Sequence, residues 1–441
     1  MGHSVNFRHS TLAIYLFACS TAALANDPFQ VVGTSITTGS ISFQQNMSSI
    51  ANNPAAASHY MQDESGLVLN ILPPIGAGYE VGQIDSLIDE LDELIDILEN
   101  DNLTAQDALD AKDRFDPFLK LASQDGLLKV AGHAGIPLFP IFYFNSEFGT
   151  FTLNAKINGS LRSTVIDDSI DIIGFNDSFI INTSAAVYVK SAGLTQFSAG
   201  YSRPVWKRNE GVLHAGATLN INRLSLSKNL ISLAALEDGE DIGDAIEDDY
   251  ENNEQSSTNL SLDLGALWVD TNYSMGLSFK DINAPEYDYK TLVSDCSQEQ
   301  GISLDNCLVA QEAIARGKIT GQETFVANAQ ATFEASAWLG NENKWLVHTS
   351  IDLNDKNDPL GDVYQWASIS ASTQFNNWVI PGLRIGYSQN LAGTELSYYS
   401  IGMTLFKRAQ LDVRWSSDSV EVDGSTIPRS AFFSFSIQSQ F

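Results

Sequence analysis

Few residues in this chain have a type and spacing that could do chemistry. Cys296 and Cys307 lie close together in a polar stretch. No His is near them, and their spacing is not C-x-x-C, so metal binding and thioredoxin-like exchange are both poorly served. An even pair of cysteines in an exported chain points instead to a disulfide. Ser225-Leu226-Ser227-Lys228 fits S-x-x-K, but it falls at the end of a predicted strand rather than at a helix start, and no companion motif follows. The histidines His59, His133, His214 and His348 are scattered, and each reads as structural or solvated. There is no G-x-S-x-G, no H-E-x-x-H and no Gly-rich phosphate loop. These residues predict no enzyme, no cofactor and no metal. The acidic run Glu237–Glu254 lacks the ligand spacing of an EF-hand and reads as a solvated loop rather than a cation site. Asp and Glu number 54 against 24 Lys and Arg, a formal charge of −30. That balance argues against nucleic-acid binding through a basic surface.

The elements that would carry such residues begin with an export signal. The apolar run Thr11–Cys19 follows Arg8 and precedes Ala23-Leu24-Ala25. A basic start, a short apolar stretch and an A-x-A site predict a secretory signal peptide over residues 1–25, cleaved after Ala25. The run is too short to span a bilayer, which takes about 20 apolar residues. A rival lipoprotein signal processed at Cys19 is disfavoured by the bulk of Phe17. With 441 residues, 44% hydrophobic and a mean hydropathy of −0.08, the chain can bury a large core but is too polar for a bundle of membrane helices.

The final stretch, Ser430–Phe441, alternates from Phe433 to its end. Phe433, Phe435, Ile437, Ser439 and Phe441 fall on one face; Ser434, Ser436, Gln438 and Gln440 fall on the other. Side chains two apart in a strand point the same way, so one face is mostly apolar and the other polar. This stretch resembles the closing strand of bacterial outer-membrane barrels. The resemblance implies that Phe435, Ile437 and Phe441 form a signal read by the barrel-assembly machinery.

From Leu127 onward the chain alternates and turns repeatedly. Long connections such as Val420–Pro428, Asn354–Asp362, Asp281–Glu323 and Asn229–Ser257 alternate with short ones. Outer-membrane barrels keep short turns on the periplasmic side and long loops outside, whereas a soluble sandwich has no reason to keep that parity. The parity breaks before Lys190. There Ser178–Lys190 and Leu194–Trp206 read as separate strands joined by a short turn on the wrong side. The long connection Asp167–Asn176 likewise falls on the wrong side. An even strand count of about 14 is expected, or 16 if Gly66–Tyr79 is counted and Leu127–Phe144 is split at Pro137.

Between the signal and the barrel, residues 26–65 lack strand alternation and contain Asn53-Pro54-Ala55, a turn followed by a helix start. After Gly66–Tyr79 the period changes: Ile84, Leu87, Ile88, Leu91, Leu94, Ile95 and Leu98 recur at three and four, with acidic residues between. This predicts an amphipathic helix. A second helix is expected from Thr104, capped with Asp107, to about Ser123, with Leu109, Phe115, Leu119 and Leu121 as its apolar contacts. Leu87, Leu91 and Leu94 are candidates for a partner-binding face; the alternative is a hairpin packed on the barrel or on itself.

Asn53-Pro54-Ala55 ahead of a first strand resembles the plug of FadL-type long-chain fatty-acid transporters. Together with Leu67–Ile75, Leu87-Ile88-Asp89-Glu90-Leu91-Asp92 and Gly135-Ile136-Pro137-Leu138, it makes the chain similar to the conjugal-transfer TraF family of outer-membrane barrel type. The expectation is an all-β transmembrane antiparallel barrel over residues 66–441, with a plug over 26–65 and an α-helical hairpin insertion over 80–125. The resemblance implies a Gram-negative outer-membrane protein among lipid. It would be a structural or interaction component of plasmid transfer, with a protein partner at the hairpin. The alternative is a channel for hydrophobic small molecules gated by the plug.

Overall fold

The structure is a computed structural model, and it describes residues 32–42, 47–60, 66–100, 102–145, 147–175, 178–235, 253–292, 295–339, 345–373, 379–422 and 424–438. The predicted signal peptide over residues 1–25, most of the acidic run 237–254 and the terminal Phe441 lie outside them.

Strand alternation is visible residue by residue. In Gln330–Leu339, Gln330, Thr332, Glu334 and Ser336 are buried on one face, while Ala331, Phe333, Ala335 and Ala337 lie on the other. In lipid every backbone group must find a partner within the protein, and only a closed sheet of such strands provides that. The ring closes here. Its strands are β1 (Gly66–Asn70 and Leu72–Val81), β2 (Leu127–Gly135 and Leu138–Asn145), β3 (Gly149–Ile166), β4 (Ala186–Arg208), β5 (Gly211–Ser232), β6 (Gln255–Val269) and β7 (Tyr273–Lys280). They continue as β8 (Gln330–Leu339), β9 (Trp345–Asp352), β10 (Trp366–Thr373), β11 (Gly382–Asn390), β12 (Ser397–Leu405), β13 (Ala409–Ser416) and β14 (Ser430–Ile437). Each pairs antiparallel with the next, and β14 pairs with β1 from Leu72↔Ile437 to Glu80↔Ser430.

The count is therefore 14. The sheet holds 16 strand segments, but both halves of β2 pair with the same edge of β3, and both halves of β1 pair with β2. The break at Pro137 and the one near Pro73-Pro74 are kinks within a strand, so the alternative of 16 is set aside. Lys190–Leu194 also needs correcting. No turn lies there: β4 runs unbroken for 23 residues and pairs with β3 throughout, from Ile166↔Ala186 to Thr150↔Ser202. The connection at 167–185 is then a long outer loop holding a small hairpin, Asp171–Phe175 with Ser178–Asn182. With that repair every long connection falls at one end of the barrel, as parity requires.

Aromatic side chains mark the two edges of the apolar band. Tyr387, Tyr399 and Trp415 are register neighbours toward the long-loop end. Tyr143, Phe151 and Tyr201, with Trp206 against Trp268, lie toward the other. Such girdles sit where membrane meets water.

Strands β3, β4 and β5 have 18, 23 and 22 residues, against 8 to 10 for β7 to β14. Their extra length stands clear of the ring and is covered on both faces. One face carries Val165, Val187, Val189 and Ile231, packed with Leu91 and Leu94 of one helix (Leu87–Leu98) and Phe115 and Leu119 of the next (Ala105–Asp125). The other carries Ala186 and Leu230, packed with Val309, Ala310 and Ala313 of the helix Ile302–Ala315. This last helix, inside the long connection Asp281–Glu323, is an addition to the sequence reading. The capping box at Thr104 is formed as predicted, its hydroxyl accepting from the Asp107 N–H and the Asp107 carboxylate accepting from the Thr104 N–H at 3.2 Å. Of its four expected contacts, Phe115 and Leu119 are buried while Leu109 and Leu121 face solvent.

Candidate functional site

The plug threads the lumen as three short helices, α1 (Ser35–Thr38), α2 (Met47–Ile50) and α3 (Ala57–Tyr60). Asn53 is fully buried, and its three polar contacts explain its residue type. Its Oδ1 accepts from the Ala55 N–H at 3.0 Å, which makes the turn. Its Nδ2 donates to the Ala266 carbonyl at 3.2 Å and to Glu334 Oε1 at 3.0 Å. Glu334 also accepts from the Ser42 hydroxyl at 2.6 Å and the Ser42 N–H at 2.5 Å. A carboxylate far from bulk water is thus held by donors from two turns of the plug, and such charge-assisted bonds are about twice as strong as neutral ones.

The wall leaves room for this turn. Gly216 and Gly265 face each other across β5 and β6. A Cβ on Gly216 would sit 2.2 Å from the Pro54 carbonyl oxygen, and one on Gly265 2.1 Å from Asn53 Oδ1. Further contacts fix both ends of the plug. Ser58 donates its N–H to Ser202 Oγ at 3.0 Å and shares a bond of 2.8 Å with His214 Nδ1. Thr37 donates to Asp412 at 2.6 Å, which pairs with Arg384 at 2.9 Å.

The opposite end is closed by outer loops folding inward. Lys129 of β2, fully buried, pairs with Asp358 and with Asp362 (2.9 Å), and donates to Tyr364 Oη at 2.6 Å. Lys190 of β4 pairs with Glu323 at 2.5 Å and lies over the Tyr289 ring. Lys228 of β5 donates to the carbonyls of Thr320 and Gly321 at 2.8 and 3.0 Å. Removing one member of a buried pair leaves an uncompensated charge, so these contacts hold the loops firmly. Between plug and loops remain two cavities of about 180 and 90 Å³.

Cys296 and Cys307 are joined, with Cα atoms 5.8 Å apart, and tie the 302–315 helix to its loop. Phe433, Phe435 and Ile437 lie on the outer face of β14 while Ser434, Ser436 and Gln438 are buried inside. Leu91 and Leu94 are buried against the chain's own strands, with Leu87 packed beside them. That face of the hairpin is already covered; its exposed face shows Ile88, Leu109 and Leu121 instead. Ser225 and Lys228 point to opposite faces of β5: Ser225 shares a 2.5 Å bond with Ser256, while Lys228 reaches inward to the loop. S-x-x-K is therefore no dyad. His133 meets Asn158, and His348 lies between Ser336 and Ser372 at 2.9 and 3.1 Å. Sequence reasoning passed over Glu334. Its signal was a lone acid on the inward face of a strand whose other inward residues, Gln330, Thr332, Ser336 and Trp338, carry no charge.

A model of the family described as "F plasmid transfer operon, TraF, protein" matches residues 50–352. Among solved structures, a Pseudomonas aeruginosa FadL homologue is 12% identical, covering 96% of this chain and 100% of its own, at a TM-score of 0.44. The deltaS2S3 mutant of the TodX monoaromatic hydrocarbon channel is 12% identical, covering 94% and 100%, at 0.45. The Pseudomonas putida toluene transporter TodX is 11% identical, covering 96% and 100%, at 0.41. Among curated protein sequences none matches.

Proposed function

The chain belongs to the family described as F plasmid transfer operon, TraF, protein, and from that premise we propose that it is a structural or interaction component of plasmid conjugal transfer in a Gram-negative outer membrane. The observation that supports this reading is the double latch. Glu334 grips the plug at Ser42 and Asn53, and Lys129, Lys190 and Lys228 grip the outer loops. A barrel stoppered at both ends by its own buried polar contacts suits a scaffold better than a conduit. A partner would meet the solvent face of the hairpin, where Ile88, Leu109 and Leu121 are exposed among acidic residues. Export would use the cleaved signal over residues 1–25.

Planar-bilayer recording tests the closed lumen. The wild-type barrel should be silent, and conduction should appear only when both latches are broken, as in Gly216→Val combined with Lys129→Gln. Steady open conduction by the wild type would overturn this reading. Substituting Ser at Ile88, Leu109 and Leu121 should spare the folded barrel and remove a protein that co-purifies with it; retention of that protein would remove the hairpin from the interaction.

One observation favours a second reading, passage of a hydrophobic small molecule. The larger cavity touches Met47, Ile50 and Phe142 and reaches Pro73 and Pro74, where β1 is broken. Native mass spectrometry of gently extracted barrel should then show a stoichiometric apolar adduct, and a bare barrel would count against it. Lys156, Lys280, Asp263 and Asp281 line the same cavity, which is why this reading stands second.

A further inference from the structure

Most charged groups of the lumen are matched within the protein. Asp281 pairs with Lys356 at 2.6 Å. Asp263 accepts from Asn220 Nδ2 at 2.8 Å and from the Asp281 N–H at 2.9 Å. Glu334 holds the plug, and Lys129, Lys190 and Lys228 hold the loops. Lys156 on β3 and Lys280 on β7 face the inner cavities, and among the described residues neither forms an ion pair within 4.0 Å. Lys156 lies close enough to Lys280 for the two charges to repel, and Asp263 and Asp281 of the same cavity attract it.

Nearby are buried amides with unused donors. Gln330, 2% exposed, has no partner for Nε2. Asn158, 9% exposed, has its Oδ1 occupied by His133 and no partner for Nδ2. Both line the 90 Å³ cavity together with Lys280, and Lys280 and Gln196 also line the adjoining 180 Å³ cavity with Lys156. Gln330 lies opposite Lys280 across β7 and β8, and Lys156 opposite Gln196 across β3 and β4. Buried donors without acceptors are costly, and two ammonium groups that repel each other add to that cost. Both costs fall if an acceptor-rich anion occupies the space. The smaller cavity holds a few waters' volume and excludes a long chain.

From this surplus of donors we infer that the lumen contains a binding site for one compact oxyanion, a phosphate or small carboxylate, held by Lys156 and Lys280 with Asn158 and Gln330. The site lies between plug and loops. It stands independently of whether the barrel scaffolds or conducts.

Equilibrium dialysis of the extracted full chain against radiolabelled inorganic phosphate tests it. The wild type should bind about one phosphate per barrel, saturably. Acetate should displace it, and chloride at the same concentration should not. Loss of a charge-assisted hydrogen bond weakens binding about tenfold or more, so Lys156→Gln and Lys280→Gln should each show that loss. Each variant should keep the heat-modifiable mobility of a folded barrel, and Lys156→Arg should restore binding if Lys156→Gln folds poorly. Lys112→Gln, on the outer hairpin, should bind as the wild type does. No saturable binding to folded wild type, displacement by chloride equal to that by acetate, or unchanged binding in both Gln variants would each overturn the inference.

Discussion

The plug precedes the barrel and the helical hairpin interrupts it, and the two are held by different means. The plug combines polar residues with Ile41, Met47 and Ile50, which pack against Phe142, Phe144 and Leu267. It is fixed by hydrogen bonds to Glu334, Asp412, Ser202 and His214, and by glycines that let its backbone approach. The hairpin is fixed by leucines and a phenylalanine on the valines of β3 and β4. A polar dock depends on geometry and loses its energy when one donor moves. An apolar dock tolerates small shifts but not a charge. Evicting the plug would strand buried polar groups and also uncover the apolar patch about Ile41, Met47 and Ile50, whereas lifting the hairpin would expose an apolar face alone.

The contrast can be broken most directly at Gly216. In Gly216→Val the new side chain meets the Pro54 backbone, which has no room to step aside. The plug should leave its dock outright. A Cys at Ala57, buried in the wild type, should then pass from maleimide-protected to labelled; continued protection would show that the plug adapts. Leu94→Asp places a charge in a fully buried apolar site, at a cost of about 4 kcal/mol. Limited proteolysis should cut the hairpin while the barrel core remains resistant. Equal resistance in wild type and variant would mean that the apolar face contributes little.

Glu334→Ala comes next. It strands donors on Ser42 and Asn53, for roughly 3 kcal/mol. Labelling at Ala57→Cys should accelerate without becoming complete, and a rate equal to wild type would remove Glu334 from the latch. The smallest effect belongs to Arg114, which bridges Glu90 and Glu93 on the hairpin surface. Its hydrogen bond holds the Glu93 carboxyl below the usual carboxylate range. A lowered carboxyl contributes above its unfolded-state value and loses that contribution as pH falls through the lowered one. Arg114→Gln should leave the unfolding transition of the barrel unchanged at neutral pH, because exposed pairs contribute little. A clear drop at neutral pH that vanishes in acid would show this surface pair to be structural.

Much of this was written locally. Alternation from Phe433 to Ile437, the three-four spacing from Leu87 to Leu98, the Thr104 cap and the two-sided loop lengths are properties of neighbouring residues, because side-chain direction and turn chemistry act over a few positions. They determined a barrel of about the right size with a helical insertion. Lys190–Leu194 misled because Ser191, Ala192 and Gly193 look like a turn; only pairing with β3 along its whole length kept the strand straight.

The tertiary structure decided what meets across hundreds of residues. Glu334 meets Ser42 at a separation of 292 residues, and Lys129 meets Asp358 at 229. Nothing local in either partner names the other. Closing the ring sets which side chains share the lumen, and with that which charges meet there. For the same reason the sequence marked Leu91 and Leu94 as a face to be covered, while only the fold showed that the cover is the barrel itself.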